Sequence, residues 1–188
     1  KARVIGIEPA SLVTKSLVRE VKTDDAGCFQ SALNPGLTKI AVIERHKRTG
    51  KLGIGILEGY GLTGGAIATT ISHDSHNIVV AGDNDPDMLL AVRELADMGG
   101  GIVSVHGGSI RRLPLPIAGL MTSADPQEVN AVLHDMLVAA RAELGIPEDV
   151  EPFMTLSFMA LPVIPELKLT ARGLFNVNTF SFVGVEAD

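Results

Sequence analysis

Tryptophan is absent from this chain, and tyrosine and cysteine each occur once. With aromatics at 4% of residues, the core has to be aliphatic, built from Val, Ile, Leu and Ala. Stacking platforms for single-stranded nucleic acid are mostly missing for the same reason. The lone Cys28 permits no internal disulfide and excludes a Cys-rich metal cage; it fits a reducing, cytoplasmic setting. No apolar run reaches the roughly 18 residues of a transmembrane helix, and no signal peptide is visible. Positive charge is in the minority: 16 Lys and Arg against 22 Asp and Glu leave a formal net charge of −6. That balance argues against a nucleic-acid backbone or an anionic membrane as the main partner. The one basic cluster, Arg45-His46-Lys47-Arg48, reads as a solvated turn.

What is present describes a globular protein. Apolar residues make up 46% and charged residues 20% of the chain. Its 188 residues suit one domain, large enough to bury roughly 70% of its unfolded surface without disulfide staples. The first residue is Lys1, and residues 3–7 already read as a strand. The chain is therefore expected to be cut from something longer.

Along the chain, residues 3–22 read as one or two strands broken near Pro9. Residues 23–37 carry Asp24, Asp25, Gly27, Asn34, Pro35 and Gly36, which is loop chemistry. Residues 38–45 and 52–58 read as the two strands of a hairpin. In the second, Gly53 and Gly55 alternate with large residues, which predicts a face where sheets pack tightly. Residues 59–65 form a glycine-rich turn without Gly-Lys-Ser/Thr, so it is not read as a phosphate loop. Residues 66–71 make another short strand, and 77–81 a buried one.

A helix over about 86–98 is signalled by Pro86 in its first turn, by Asp83, Asn84 or Asp85 as cap, and by the glycine triplet at 99–101. Residues 102–106 and 109–113 form a hairpin. Pro114, Pro116 and Gly119 make an irregular connector. A second helix over about 126–144 opens on Asp125-Pro126-Gln127-Glu128, which has capping-box spacing. Its stripe of Val129, Leu133, Met136, Leu137, Ala140 and Leu144 packs on the sheet, or else meets a partner. Residues 153–164 are apolar but interrupted by Pro162, which predicts a groove segment or one lying under another domain. Residues 168–173 read as a polar turn and 175–183 as a last strand. The sum is one α/β (α+β) domain over 1–188: a mixed β-sheet with hairpins and two main helices.

Chemistry concentrates in Ser72-His73-Asp74-Ser75-His76-Asn77. Two imidazoles, a carboxylate, two hydroxyls and an amide stand at the lip of the buried strand. The competing reading is an ordinary turn, since Ser, Asp and Asn are turn residues. His73 and His76, with Asp74 between them, are weak candidates for metal ligands. A catalytic zinc takes three protein ligands, and His-x-x-His in a loop lacks the helical spacing that puts both rings on one face. His46, His106 or His134 would supply a third ligand only through the fold. General acid–base work is the alternative, because imidazole titrates near neutral pH. No Gly-x-Ser-x-Gly elbow precedes a helix, which disfavours a serine hydrolase. Glu44 and Glu58 read as edge charges.

Longer patterns are more specific. Residues 71–85 (Ile-Ser-His-Asp-Ser-His-Asn-Ile-Val-Val-Ala-Gly-Asp-Asn-Asp), the glycine triplet, and Leu113-Pro114-Leu115-Pro116-Ile117-Ala118-Gly119-Leu120-Met121 stand in one order. The run from Pro152-Phe153-Met154-Thr155 to Pro165-Glu166-Leu167-Lys168-Leu169-Thr170 continues it. With Lys39 to His46 and Gly59-Tyr60-Gly61-Leu62, this set resembles the C-terminal domain of bacterial adenine deaminases, from about residue 38 to 183. The first forty residues match more loosely.

The resemblance implies hydrolysis of adenine to hypoxanthine and ammonia by a metal-dependent amidohydrolase barrel. This chain has no His-x-His of that barrel and is too short for about 250 residues of it. The implied role is the accessory domain that covers the barrel's active site, with Ser72, His73, Asp74, Ser75, His76 and Asn77 lining it. The implied cofactor is a divalent metal, Mn, Fe or Zn, with ligands outside this chain. A cytoplasmic homodimer, or another homo-oligomer, is expected. The alternative is a stand-alone structural, small-ligand-binding or dimerisation domain without catalysis.

Overall fold

The computed structural model describes residues 1–187. The chain opens with antiparallel strands β1 (Ala2–Ile7) and β2 (Thr14–Arg19), reversed around Pro9. Strands β3 (Leu37–Ile43) and β4 (Leu52–Glu58) follow as the expected hairpin, with Ile43 opposite Leu52. Next come β5 (Gly65–Thr69), β6 (Ile78–Gly82), helix α1 (Asp85–Asp97), β7 (Gly101–His106) and β8 (Ser109–Pro114). These eight strands form one sheet in the order β2-β1-β4-β3-β6-β5-β7-β8. β1 runs parallel to β4; the other neighbouring pairs are antiparallel. Helices α2 (Pro126–Ala142) and α3 (Pro152–Phe158) follow, and β9 (Leu167–Thr170), β10 (Gly173–Asn176) and β11 (Ser181–Val183) make a second sheet.

Burial on both faces explains why the central strands are apolar without alternation. Along β6, Val79 and Ala81 join one core, while Ile78 and Val80 join the other. Residues of α2, α3 and the small sheet fill the first core. Met88, Ala91 and Leu95 of α1 fill the second. The large sheet is thus the middle of three layers.

Helix starts follow local chemistry. Asn84 Oδ1 accepts from the Asp87 amide at 2.9 Å, and Asp125 Oδ1 accepts from the Gln127 amide at 2.8 Å. Proline stands in the first turn of all three helices, where a missing N–H costs nothing. The α2 stripe packs inward as expected: Met136, Ala140 and Leu144 are buried, with Val129, Leu133 and Leu137 against them.

Three expectations change. Residues 152–158 form a third helix in the chain's own core, where Phe153, Leu156 and Met159 are buried. Only the outer side is bare, with Met154 at 56% and Val163 at 66% exposure among the described residues. Lys168 belongs to β9, not to a polar turn, and is 0% exposed. Its Nζ donates to the Leu12 carbonyl at 2.9 Å, and burial pushes the amine down to about 8. The final strand is two strands, β10 and β11, separated by a turn.

The small residues of β4 do mark a tight sheet contact. A Cβ on Gly53 would lie 2.0 Å from the Thr170 carbonyl oxygen; one on Gly55 would lie 3.3 Å from Leu174 Cδ2. Backbone meets backbone at the first position and a movable side chain at the second. Gly53→Ala is therefore expected to lower the unfolding free energy by about 2 kcal/mol or more, and Gly55→Ala by under about 1 kcal/mol. Urea unfolding of the two variants checks the order.

Candidate functional site

Strand register collects four connections at one end of the large sheet. Ile43 at the end of β3 pairs with Ile78 at the start of β6, and Thr69 at the end of β5 pairs with Val79. The turn after β3 and the 70–77 loop after β5 must then lie side by side. Thr69 also pairs with Ile102, so the glycine triplet before β7 ends there too. Thr70 Oγ1 accepts from the Gly101 amide at 2.8 Å and donates to the Gly119 carbonyl at 2.6 Å. That bond draws in the 115–121 connector as the fourth.

The six loop residues do not share one environment. Ser72 and Asn77 are buried, His73 and His76 half-buried, Asp74 and Ser75 exposed. The His73 amide donates to the Ser157 carbonyl at 3.0 Å, tying the loop to α3. The His73 ring lies 4.4 Å from the Phe158 ring and 6.3 Å from that of His76, centroid to centroid. The His76 amide donates to the Ser72 carbonyl at 2.6 Å, closing a tight turn. His76 itself sits in the left-handed region at φ 47°.

Its imidazole is the loop's least satisfied group. Nδ1 is buried without a hydrogen-bond partner. Desolvation, the His73 ring and the Arg45 guanidinium push the His76 pKa below its ordinary value, against an opposing pull from Asp74. These effects favour the neutral imidazole, whose Nδ1 has no partner among the described residues.

Beside His73 lies an apolar recess of about 290 Å³. Ile71, Ile102, Leu133, Phe153, Met154 and Phe158 form most of its wall. Its volume is at the low end for a small-molecule site.

The turn after β3 is largely solvated, as its charge predicts: His46, Lys47 and Arg48 are exposed, and of that basic cluster only Arg45 is half-buried. Glu44 folds it around its own carboxylate: Oε1 accepts from the His46 and Lys47 amides, and Oε2 from the amide and hydroxyl of Thr49. Those bonds hold the Glu44 pKa down to about 2. The fold thereby aims Arg45 and His46 at the loop. Arg45 Nε donates to the His76 carbonyl at 2.6 Å and Nη2 to the Ala118 carbonyl at 2.7 Å. His46 Nε2 meets the Ser75 carbonyl at 2.8 Å. Composition could not identify Arg45, because strand pairing places it; the signal was the register of residues 38–45 against the run after Asn77. Glu58, at the end of the interior strand β4, pairs with Arg19 at 2.6 Å.

A metal does not fit this donor set. Among the described residues no three His, Cys, Asp or Glu side chains converge. His106 turns to the Gly64 carbonyl and His46 to Ser75. No helix among the described residues is long and apolar enough to cross a membrane.

Fold and loop together define an α+β domain that presents a fixed, imidazole-bearing loop at one end of its main sheet. Residues 11–181 match the family described as the adenine deaminase C-terminal domain. The chain is 60% identical over 185 residues to the adenine deaminase of Nitratidesulfovibrio vulgaris strain Hildenborough, 98% of this chain and 32% of that protein. It is 46% identical over 181 residues to the adenine deaminase of Clostridium acetobutylicum, 96% of this chain and 32% of that one. The figure is 45% over 185 residues for the Bacillus licheniformis adenine deaminase, 98% of this chain and 32% of that protein. This chain belongs to the adenine deaminase C-terminal domain family, and it spans about a third of the length of these curated relatives.

Glu44 supplies a pH test of the turn. Its pKa in the fold lies below the ordinary value of 4.5. Its contribution is therefore complete above that value and is lost as pH falls toward about 2. Glu44→Ala at neutral pH should mimic the acid state. Amide exchange at His46, Lys47 and Thr49 is expected to rise several-fold, while β6 keeps its protection.

Proposed function

We propose that this chain is the C-terminal domain of an adenine deaminase, which hydrolyses adenine to hypoxanthine and ammonia in purine metabolism. The catalytic barrel and the ligands of its divalent metal (Mn, Fe or Zn) belong to the remainder of the polypeptide. The 72–77 loop leans over that active site. Family membership supports the reaction, and the relatives' greater length supports the division of labour.

The observation that carries the loop's role is the half-buried His76 ring, neutral and with Nδ1 unpartnered, held on a loop fixed at several backbone points. A buried nitrogen without a partner inside the domain calls for one from outside it. A purine ring edge carries both donors and acceptors, so a neutral imidazole can meet either. His73, stacked near Phe158 at the mouth of the apolar recess, offers a second polar group against a flat apolar wall. Docked on a barrel's open face, the loop would also exclude water, which strengthens each polar contact inside. Ser72 and Asn77 serve from within, as the buried supports of the turn.

On this reading the enzyme works in the reducing cytoplasm, with the exposed Cys28 a free thiol. It assembles as a homodimer or other homo-oligomer. Leu52, Ile54 and Leu89, exposed along one groove, are the apolar surface for that contact.

His73→Ala and His76→Ala in the full-length polypeptide are expected to cut kcat/KM for adenine by about 100-fold or more. The melting temperature should move by only a few degrees. Matching losses of activity and stability would make the loop a structural interface. Unchanged turnover would favour a binding or dimerisation domain without a part in catalysis.

A further inference from the structure

We propose that Arg45 is the positioning residue of the histidine loop, a guanidinium clasp that sets where His73 and His76 stand. The proposal rests on the reading above for its effect on turnover, but the clasp itself is a matter of geometry. Arg45 bridges two separate connections, through Nε to the His76 carbonyl and Nη2 to the Ala118 carbonyl. Its backbone amide also reaches Asn77 Oδ1, at 3.4 Å. One residue thus touches the loop at 76 and 77 and locks it to the 115–121 connector.

The surroundings are built for that side chain. Gly119 leaves the space: a Cβ there would stand 2.7 Å from Arg45 Nη2 and 3.0 Å from Nη1. Thr70 fixes the same glycine from the other side by donating to its carbonyl. Glu44 fixes the turn from which Arg45 projects, and His46 adds a contact to the Ser75 carbonyl. The guanidinium has no carboxylate partner among the described residues; both of its bonds go to carbonyls. Its planar fork can satisfy two divergent carbonyls at once, whereas a lysine ammonium is a point donor on a flexible stem. A cation kept beside His76 also disfavours a proton on that ring. Arg45 does not reach the recess beside His73. It acts through the histidines.

The test uses the full-length polypeptide carrying Arg45→Met, Arg45→Lys, Arg45→Ala or Gly119→Ala. Three readouts are compared: kcat/KM for adenine, melting temperature, and amide exchange across residues 72–77 against β6. The clasp predicts that Arg45→Met and Arg45→Lys both lose about 10- to 100-fold in kcat/KM. Loop exchange should rise in both, with the β6 exchange and melting temperature nearly unchanged. Gly119→Ala should also raise loop exchange without altering a charge, with a lower melting temperature because its φ of 75° strains any residue with a Cβ. Methylguanidinium added to Arg45→Ala should restore part of the activity, and methylamine should not. Full activity in Arg45→Met, or full rescue by lysine, overturns the proposal. So does a loss of activity that tracks global stability and is not rescued. If the parent protein does not deaminate adenine, the functional reading fails by itself, and loop exchange in Arg45→Met still decides the clasp.

Discussion

The register of β3 against β6, and of β6 against β5, is the constraint on which the site depends. Ile43 opposite Ile78 and Thr69 opposite Val79 leave the turn at 44–51 and the loop at 70–77 no other place than side by side. A slip of one residue would send Val79 and Ala81 to the α1 face and turn Ile78 and Val80 the other way. Both faces of β6 are packed, so such a slip disturbs two cores at once. The hydrophobic cores therefore fix more than stability: they fix the position of His76 relative to Arg45, two groups 31 residues apart in the chain.

Within that frame, polar bonds of unequal weight complete the loop. The exposed ion pairs, such as Lys15 with Glu8, contribute little to stability in water. The bonds from Arg45 to His76 and Ala118, and from the His73 amide to Ser157, have a different consequence. They determine loop geometry, and a polar site works only when its groups are held where the ligand needs them. The unpartnered His76 nitrogen is the loop's exception to complete pairing; among the described residues Ser31 Oγ and Ser104 Oγ are buried without a partner too.

Much of this was legible in the sequence. The β3–β4 hairpin, the buried β6, the α1 start within residues 83–85 and the α2 stripe follow from periodicity, caps and turn residues, and the structure selects Asn84 as the cap. The glycines of β4 announced the contact with the small sheet. Helix α3 was hidden because prolines later in the same apolar run suggested a broken segment, while Pro152 in fact opens a helix. Lys168 was misplaced because a charge between apolar residues reads as solvent-facing; only the tertiary fold supplies the Leu12 carbonyl that accepts its hydrogen bond. The histidine cluster stood out by composition. Its division into buried supports and accessible rings did not, since local pattern carries no burial. Arg45 lay in a run of charges that suggested solvent, and nothing in that run names its partners across the sheet.

The most direct measurement is a crystal structure of the full-length polypeptide with adenine, or its deaminated product, bound. The account predicts an imidazole nitrogen of His73 or His76 within about 3 Å of the ligand, or of a water that itself contacts it. It also predicts Arg45 still clasped to the His76 carbonyl. A loop lying far from the bound base, with both histidines turned to solvent or sealed in a domain contact, would contradict it.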